Sequence, residues 1–406
     1  PYQSALVKAW NLTARVAPGR LMSPALDVDG LMASAIKSAG GRDFGEDSFR
    51  EPLGKLVAAL EATDNLHAFG RFYIKQMLTG LLANRLKLVD FWQRCPDVLK
   101  EAIDAPLIIL GLPRTGTSFL FELLAQDPAH RYLTNWEATV AQVAPEGVYA
   151  WQDDPRRKLG RHLLRFQHYL APHMQDIHVF HLDGPEECTS LLMQEFTTLA
   201  IAAMFEAPAY SAWLDSACHD ATYRHFKRIL QTLQWRYPGQ RWLLKSPSHI
   251  DAIESILKVF PDARFIQMHR DPVRAVASFA SLCAAFRGIC SRSIDMAVVG
   301  QQAMTRLAFD FDRYLEVRRK CDSSSFVDLY YNDLVTSPLD TAKLIYERFG
   351  INYSTSAQTN MAAYLSRERQ GGASHSYQPE DFGLTAAAIR QRFKGYIDAF
   401  DIPVES

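Results

Sequence analysis

The chain has 406 residues and a mass of 45.9 kDa, with 48% hydrophobic and 22% charged residues. That composition excludes disorder as the main state and supplies a sizeable core, in two or three domains or one large elaborated one. Lys+Arg number 44 and Asp+Glu 45, so the net charge of −1 excludes a broad basic surface for DNA, RNA or anionic lipid but not a compact basic site.

Residues 1–104 read as helical. Asp29 is placed to cap a helix running on to Gly40, where Gly40 and Gly41 stop it. From Phe49 to Trp92 the apolar residues keep helical spacing. Leu53, Leu56, Val57 and Leu60 make one stripe, and Phe69, Phe72, Met77, Leu81 and Leu82 another. The region carries no catalytic constellation and is expected to be a helical cap beside the substrate. At Ala105 the texture changes. The run Pro106–Gly111 is short, apolar and closed by glycine, as a buried parallel strand would be. Similar runs stand at Arg241–Lys245, Ala263–Met268 and Ser325–Tyr331, with helical patterns over Phe119–Ala125, Ile250–Phe260 and Pro272–Phe286. The alternation predicts an α/β domain over 105–406, a mainly parallel sheet flanked by helices, with a helical insertion over about 139–235.

The six cysteines form no CxxC pair and are too sparse for a disulfide scaffold, so they read as reduced thiols of a cytoplasmic protein. No apolar run approaches the ~18 residues of a membrane span, and the opening PYQSALVKAW has no signal-peptide core. Neither a nucleic-acid partner nor an integral membrane span is expected.

Between the first strand and the helix after it stands Gly111-Leu-Pro-Arg-Thr-Gly-Thr-Ser118. In a strand, glycine loop and helix, backbone N–H groups converge on an anion, and Gly116 permits close approach. Against the phosphate loop G-x-x-x-x-G-K-[ST], Gly111, Gly116 and Ser118 fit. Thr117 stands at the lysine position, and the cation is Arg114 inside the loop. That disfavours a phosphate-loop kinase or NTPase, which would keep the lysine and hold Mg²⁺. A second segment, Arg270-Asp-Pro-Val-Arg-Ala-Val-Ala-Ser278, lets Asp271 cap a helix with Pro272 at its first position. Ser278 then lies about two turns in, on the side of Arg270, and a guanidinium and a hydroxyl can grip one phosphate.

Pro113-Arg-Thr-Gly-Thr-Ser118 resembles the 5′-phosphosulfate loop of sulfotransferases that use 3′-phosphoadenosine 5′-phosphosulfate (PAPS), and Arg270 with Ser278 resembles their 3′-phosphate site. Trp242-Leu-Leu-Lys245 is similar to the strand that ends in their catalytic lysine. Tyr330-Tyr-Asn-Asp-Leu334 is similar to their Tyr-Glu-Asp-Leu element, with Asn332 in place of glutamate. Ser374-His-Ser-Tyr377 and the residues on to Gly383 resemble a loop of the large bacterial subfamily. The resemblance spans about 105–400, and a helical N-terminal region is typical of bacterial and mycobacterial-type members. It implies catalysis by Arg114 and Lys245. It implies donor binding by Arg114, Thr115, Gly116, Thr117, Ser118, Arg270, Ser278 and Tyr331, with Ser374, His375 and Tyr377 closing over the 3′-phosphate. It implies PAPS as co-substrate, 3′,5′-adenosine bisphosphate (PAP) as product and no metal. A catalytically silent nucleotide-binding module would keep the same loops.

Transfer to an alcohol also needs a general base. Where some members place a histidine two residues past the lysine, this chain has Pro247. Other branches use a glutamate about two dozen residues past the loop cation, which points to Glu137; its ordinary alternative is a helix-start carboxylate or a salt bridge. The rivals are His178, His181 and the pair Glu186-Glu187, which otherwise line the substrate side, and His249. Aromatics of the insertion, among them Trp136, Trp151, Phe166 and Tyr169, point to a small-molecule or lipid-like alcohol as acceptor.

Overall fold

The structure, a computed structural model, describes residues 4–16, 19, 22–140, 142–170, 181–368 and 378–405. Four α-helices fill the described part of the N-terminal region: α1 (Ala5–Val16), α2 (Val28–Ala39), α3 (Arg50–Glu61) and α4 (Ala68–Arg94). The cap of α2 is Asp27, two residues before the expected Asp29. Asp27 is extended (φ −141°, ψ 146°), the conformation a cap requires, and its carboxylate accepts the Gly30 N–H at 2.6 Å. Asp29 falls inside the first turn, where its charge still suits the helix dipole. Gly40 ends the helix in the left-handed conformation, as expected, and donates to Ile36 O.

The stripes of α3 and α4 do not close a core alone. Leu53, Leu56, Leu60, Ile74 and Leu78 pack in one cluster with Phe196, Ile201, Phe205, Tyr210 and Leu214 of the insertion. One buried ion pair locks the two parts. Arg85 of α4 reaches Glu195 at 2.5 Å, donates to Phe44 O and Glu46 O at 2.7 and 2.8 Å, and stacks on Phe49.

Among its described residues the second region holds five parallel strands: β1 (Leu107–Gly111), β2 (His130–Arg131), β3 (Arg241–Lys245), β4 (Arg264–His269) and β5 (Phe326–Tyr330), in the order β2-β3-β1-β4-β5. Register pairs Ile109 with Lys245 on one side of β1 and Gly111 with Met268 on the other. Every residue of β1 is buried, because helices cover both faces. Ile108 and Leu110 enter one core with Leu244 and Phe265; Leu107 and Ile109 enter another with Leu243 and Ile266. α5 (Thr117–Leu124) follows β1. Between β2 and β3 run α6 (Asn135–Thr139), α7 (Arg156–Leu170), several short helices and a 17-residue helix, Asp220–Arg236. Among the described residues one helix, Pro272–Cys290, is long and apolar enough to cross a membrane; 61% of that stretch is buried inside the fold, as in a core helix.

Candidate active site

Parallel strands end together, so β1, β3, β4 and β5 deliver their C-terminal residues to one sheet edge, where α/β folds bind ligands. The strand order reverses across β1, and the Gly111–Ser118 loop leaves that strand. Leu112 O accepts the Thr115 N–H at 3.4 Å and the Thr115 hydroxyl at 2.7 Å, which closes the turn. Arg114 (φ +66°) and Gly116 (φ +88°) are both left-handed. Arg114 has a Cβ, so its conformation costs about 1–2 kcal/mol. A Cβ on Gly116 would lie 3.0 Å from Leu334 and 3.1 Å from Tyr331. α5 has no side-chain cap, and its first bond is Leu120 N–H to Gly116 O at 2.9 Å. The amides of Gly116, Thr117, Ser118 and Phe119 donate to no described atom, which leaves a cluster of donors at the positive end of a helix.

Lys245, at the end of β3, is nearly buried. Its ammonium donates to Ser118 Oγ at 3.1 Å and forms a short ion pair with Glu187. The Thr189 hydroxyl binds the other Glu187 oxygen at 3.2 Å and Ser246 Oγ at 3.2 Å. The Cys188 N–H donates to Lys245 O at 2.9 Å, so the segment carrying Glu187 continues the bonding pattern of β3. Glu186 is anchored the other way: its carboxylate accepts from Asn135 at 2.7 Å, and its N–H donates to Leu133 O at 2.7 Å.

Arg270, just past β4, meets the same loop. Its Nη1 donates to Arg114 O at 2.7 Å, and its guanidinium lies 3.6 Å from the Tyr331 ring centroid. Its remaining fork holds the Glu405 carboxylate through Nε and Nη2 at 2.7 and 2.9 Å. The fork therefore already presents bidentate oxyanion geometry. Asp271 caps the next helix through Val273 N–H at 3.0 Å, with Pro272 at its start, and Ser278 is buried two turns on. The fold thus brings Arg114, Thr115, Gly116, Thr117, Ser118, Lys245, Arg270 and Tyr331 to one edge.

Glu137 is placed differently. It is buried, accepts from Arg131 Nη1 and Nη2 at 3.1 and 2.5 Å, and closes a capping box through the Thr134 N–H and hydroxyl at 3.1 and 2.8 Å. Its bonds are those of a helix start and a salt bridge, and none reaches Lys245. His181 is exposed in a turn, its carbonyl accepting from Gly184 N–H at 3.0 Å. His249 is buried against Tyr223, whose hydroxyl is 2.7 Å from Nδ1, and burial pushes the imidazole down to about 3. His178, Ser374, His375 and Tyr377 lie outside the described residues. No group of three or more metal-ligating side chains is present among the described residues. Two contacts escaped the sequence reading: Glu187 on Lys245, and Glu405 on Arg270. Each joins residues far apart in the chain, and only the doubled acid at Glu186-Glu187 hinted at the first.

A family profile described as "Sulfotransferase family" matches residues 106–355, more than half of the chain. The chain is 32% identical to the sulfotransferase STF1 of Mycobacterium tuberculosis H37Rv, with a TM-score of 0.82 over 91% of this chain and 99% of that one. It is likewise 32% identical to STF9 of Mycobacterium avium, with a TM-score of 0.83 over 93% of this chain and 98% of that one. It is 26% identical, over 73% of its length and 75% of theirs, to proteins of Mycobacterium bovis and M. tuberculosis named omega-hydroxy-beta-dihydromenaquinone-9 sulfotransferase Stf3. The anion loop, the strand-end lysine and the arginine fork lie within or across the matched span, and the chain belongs to the sulfotransferase family.

Proposed function

We propose that the chain moves a sulfuryl group from PAPS to the hydroxyl of a lipid-like alcohol, giving a sulfate ester and PAP, with Glu187 as the general base. One observation carries the reading: Lys245 Nζ is held between Ser118 of the anion loop and Glu187 at a shared sheet edge. The free amides of Gly116–Phe119 suit the 5′-phosphosulfate, and the Arg270 fork suits the 3′-phosphate once Glu405 yields it. Tyr331, stacked on Arg270, suits the adenine side. The bond from sulfur to the bridging phosphate oxygen breaks as the bond to the acceptor oxygen forms in line. Lys245 and Arg114 neutralise charge on the departing and equatorial oxygens, and Glu187 takes the acceptor proton. Glu137 is a positioning residue in this scheme, holding α6 against Arg131.

A lipid-like acceptor agrees with the hydroxylated menaquinone derivative in the name of the Stf3 relatives. All six cysteines are free, which fits a reducing compartment such as the cytoplasm. Titration with PAP in a calorimeter tests the donor site: Arg270→Ala and Arg114→Ala should each weaken binding at least tenfold. The base is tested by turnover. Glu187→Gln should lower kcat by about 10²–10⁴-fold and leave PAP affinity nearly unchanged, while Glu137→Gln should lose thermal stability first. Full turnover in Glu187→Gln, with loss in a folded Glu137→Gln, would return the role to Glu137.

A further inference from the structure

The helix α7 has an outer surface that the chemistry above does not use. Its inner side, with Arg156, Gly160, Leu164 and Leu170, is buried. On the outside Leu159, Leu163 and Phe166 repeat at i, i+4 and i+7 and are 53%, 39% and 47% exposed. Lys158, Arg161 and Arg165 repeat at i, i+3 and i+7 as a second exposed stripe, and none forms an ion pair with a described residue. Amphipathic aromatics mark the two ends: Trp151 precedes the helix beneath the Arg157 guanidinium at 4.9 Å, and Tyr169 is half exposed near its close.

Covering the three half-exposed apolar side chains would take apolar surface out of water, so a partner is favoured. The cation stripe decides which partner. A second copy docked on this face by a twofold would set two rows of unpaired cations near each other. A layer that is anionic outside and apolar beneath satisfies both stripes at once. We infer that α7 is an interfacial helix that seats the chain on an anionic lipid bilayer. The fold braces this helix against α6 and the segment that leads to Glu187. Arg157 holds Asp183 at 2.6 and 2.9 Å, and a Cβ on Gly160 would meet Trp136 of α6 at 2.7 Å. Asp183 lies four residues before Glu187, so the helix that carries the docked face is tied to the segment that meets Lys245. The inference extends the acceptor reading by naming the surface from which a lipid alcohol is drawn, yet it does not depend on sulfuryl chemistry.

The test is co-sedimentation of the full chain with vesicles of phosphatidylglycerol and phosphatidylcholine in equal parts, against vesicles of phosphatidylcholine alone. The expected result is binding to the anionic vesicles that weakens with salt. Leu163→Asp with Phe166→Asp should reduce it at least tenfold. Lys158→Ala, Arg161→Ala and Arg165→Ala should each reduce it about fivefold. All these positions are exposed, so circular dichroism and PAP affinity should match the parent chain. Failure of the parent chain to bind anionic vesicles overturns the inference, as does unchanged binding by the Leu163/Phe166 variant. A concentration-dependent dimer that the same variant abolishes, without vesicle binding, also overturns it and assigns the face to a second copy. Vesicle binding without PAP binding would leave this inference standing and remove the donor reading instead.

Discussion

Gly116 answers to two constraints at once: a left-handed backbone, and the Tyr331 and Leu334 side chains packed where a Cβ would go. Gly116→Ala should therefore weaken PAP binding at least tenfold and cost about 1–2 kcal/mol of stability, measured by calorimetry and by denaturant unfolding. Unchanged affinity would show that the loop can reshape. This position was legible in the sequence because loop chemistry is local. The helix start after Arg270 was legible for the same reason, since Asp271 as cap and Pro272 at the first position are neighbours in the chain. The base was not. Glu137 and Glu187 are equally ordinary carboxylates in the sequence, and only the fold gives one to Arg131 and the other to Lys245. The Glu405–Arg270 contact is still more distant in the chain and leaves no local pattern.

Strands buried on both faces announce themselves as short apolar runs, so β1, β3, β4 and β5 were found within a residue or two of their ends. Two-residue β2 offers too little pattern to place by periodicity. The helices α3 and α4 were equally plain as helices. Their partner was not, because an apolar stripe says only that something covers it, and Phe196–Leu214 does so here. Arg85 and Glu195 rivet that contact. Burial pushes the Glu195 carboxyl up, and Arg85 opposes the shift. Arg85→Ala would leave Glu195 buried without its cation and should cost about 3–5 kcal/mol. Arg85→Met with Glu195→Leu should recover most of that loss in chemical denaturation. If the double variant is no better than the single one, the hydrogen bonds of Arg85 to Phe44 O and Glu46 O outweigh the pair.

Across the whole molecule, buried imidazoles set the response to acid. Burial holds His249 down to about 3 and His67 to about 4, and depresses His225 well below the usual range. The native chain keeps these rings neutral while the unfolded chain protonates them near 6.5. Their contribution is complete above that pH and is lost as pH falls toward 3–4, by about 1.4 kcal/mol per pH unit for each ring. Melting temperature should therefore drop steeply between about pH 6.5 and pH 5, and His249→Gln should flatten the slope. An unchanged slope in that variant would shift the burden to the other histidines. The net charge of −1 foretold none of this, nor the cations gathered at one sheet edge, because a sum carries no positions.

The central place of β1 has a consequence for synthesis. Its partners β3 and β4 lie more than 130 residues further along the chain, so this fully apolar strand leaves the ribosome with no sheet to join. The N-terminal helices wait as well, since Phe196–Leu214 must arrive before their stripes are covered. Two unfinished cores are thus exposed together until Leu214 has emerged, and β1 waits longer, for β3 and β4. This is the interval in which a nascent chain most needs protection from aggregation.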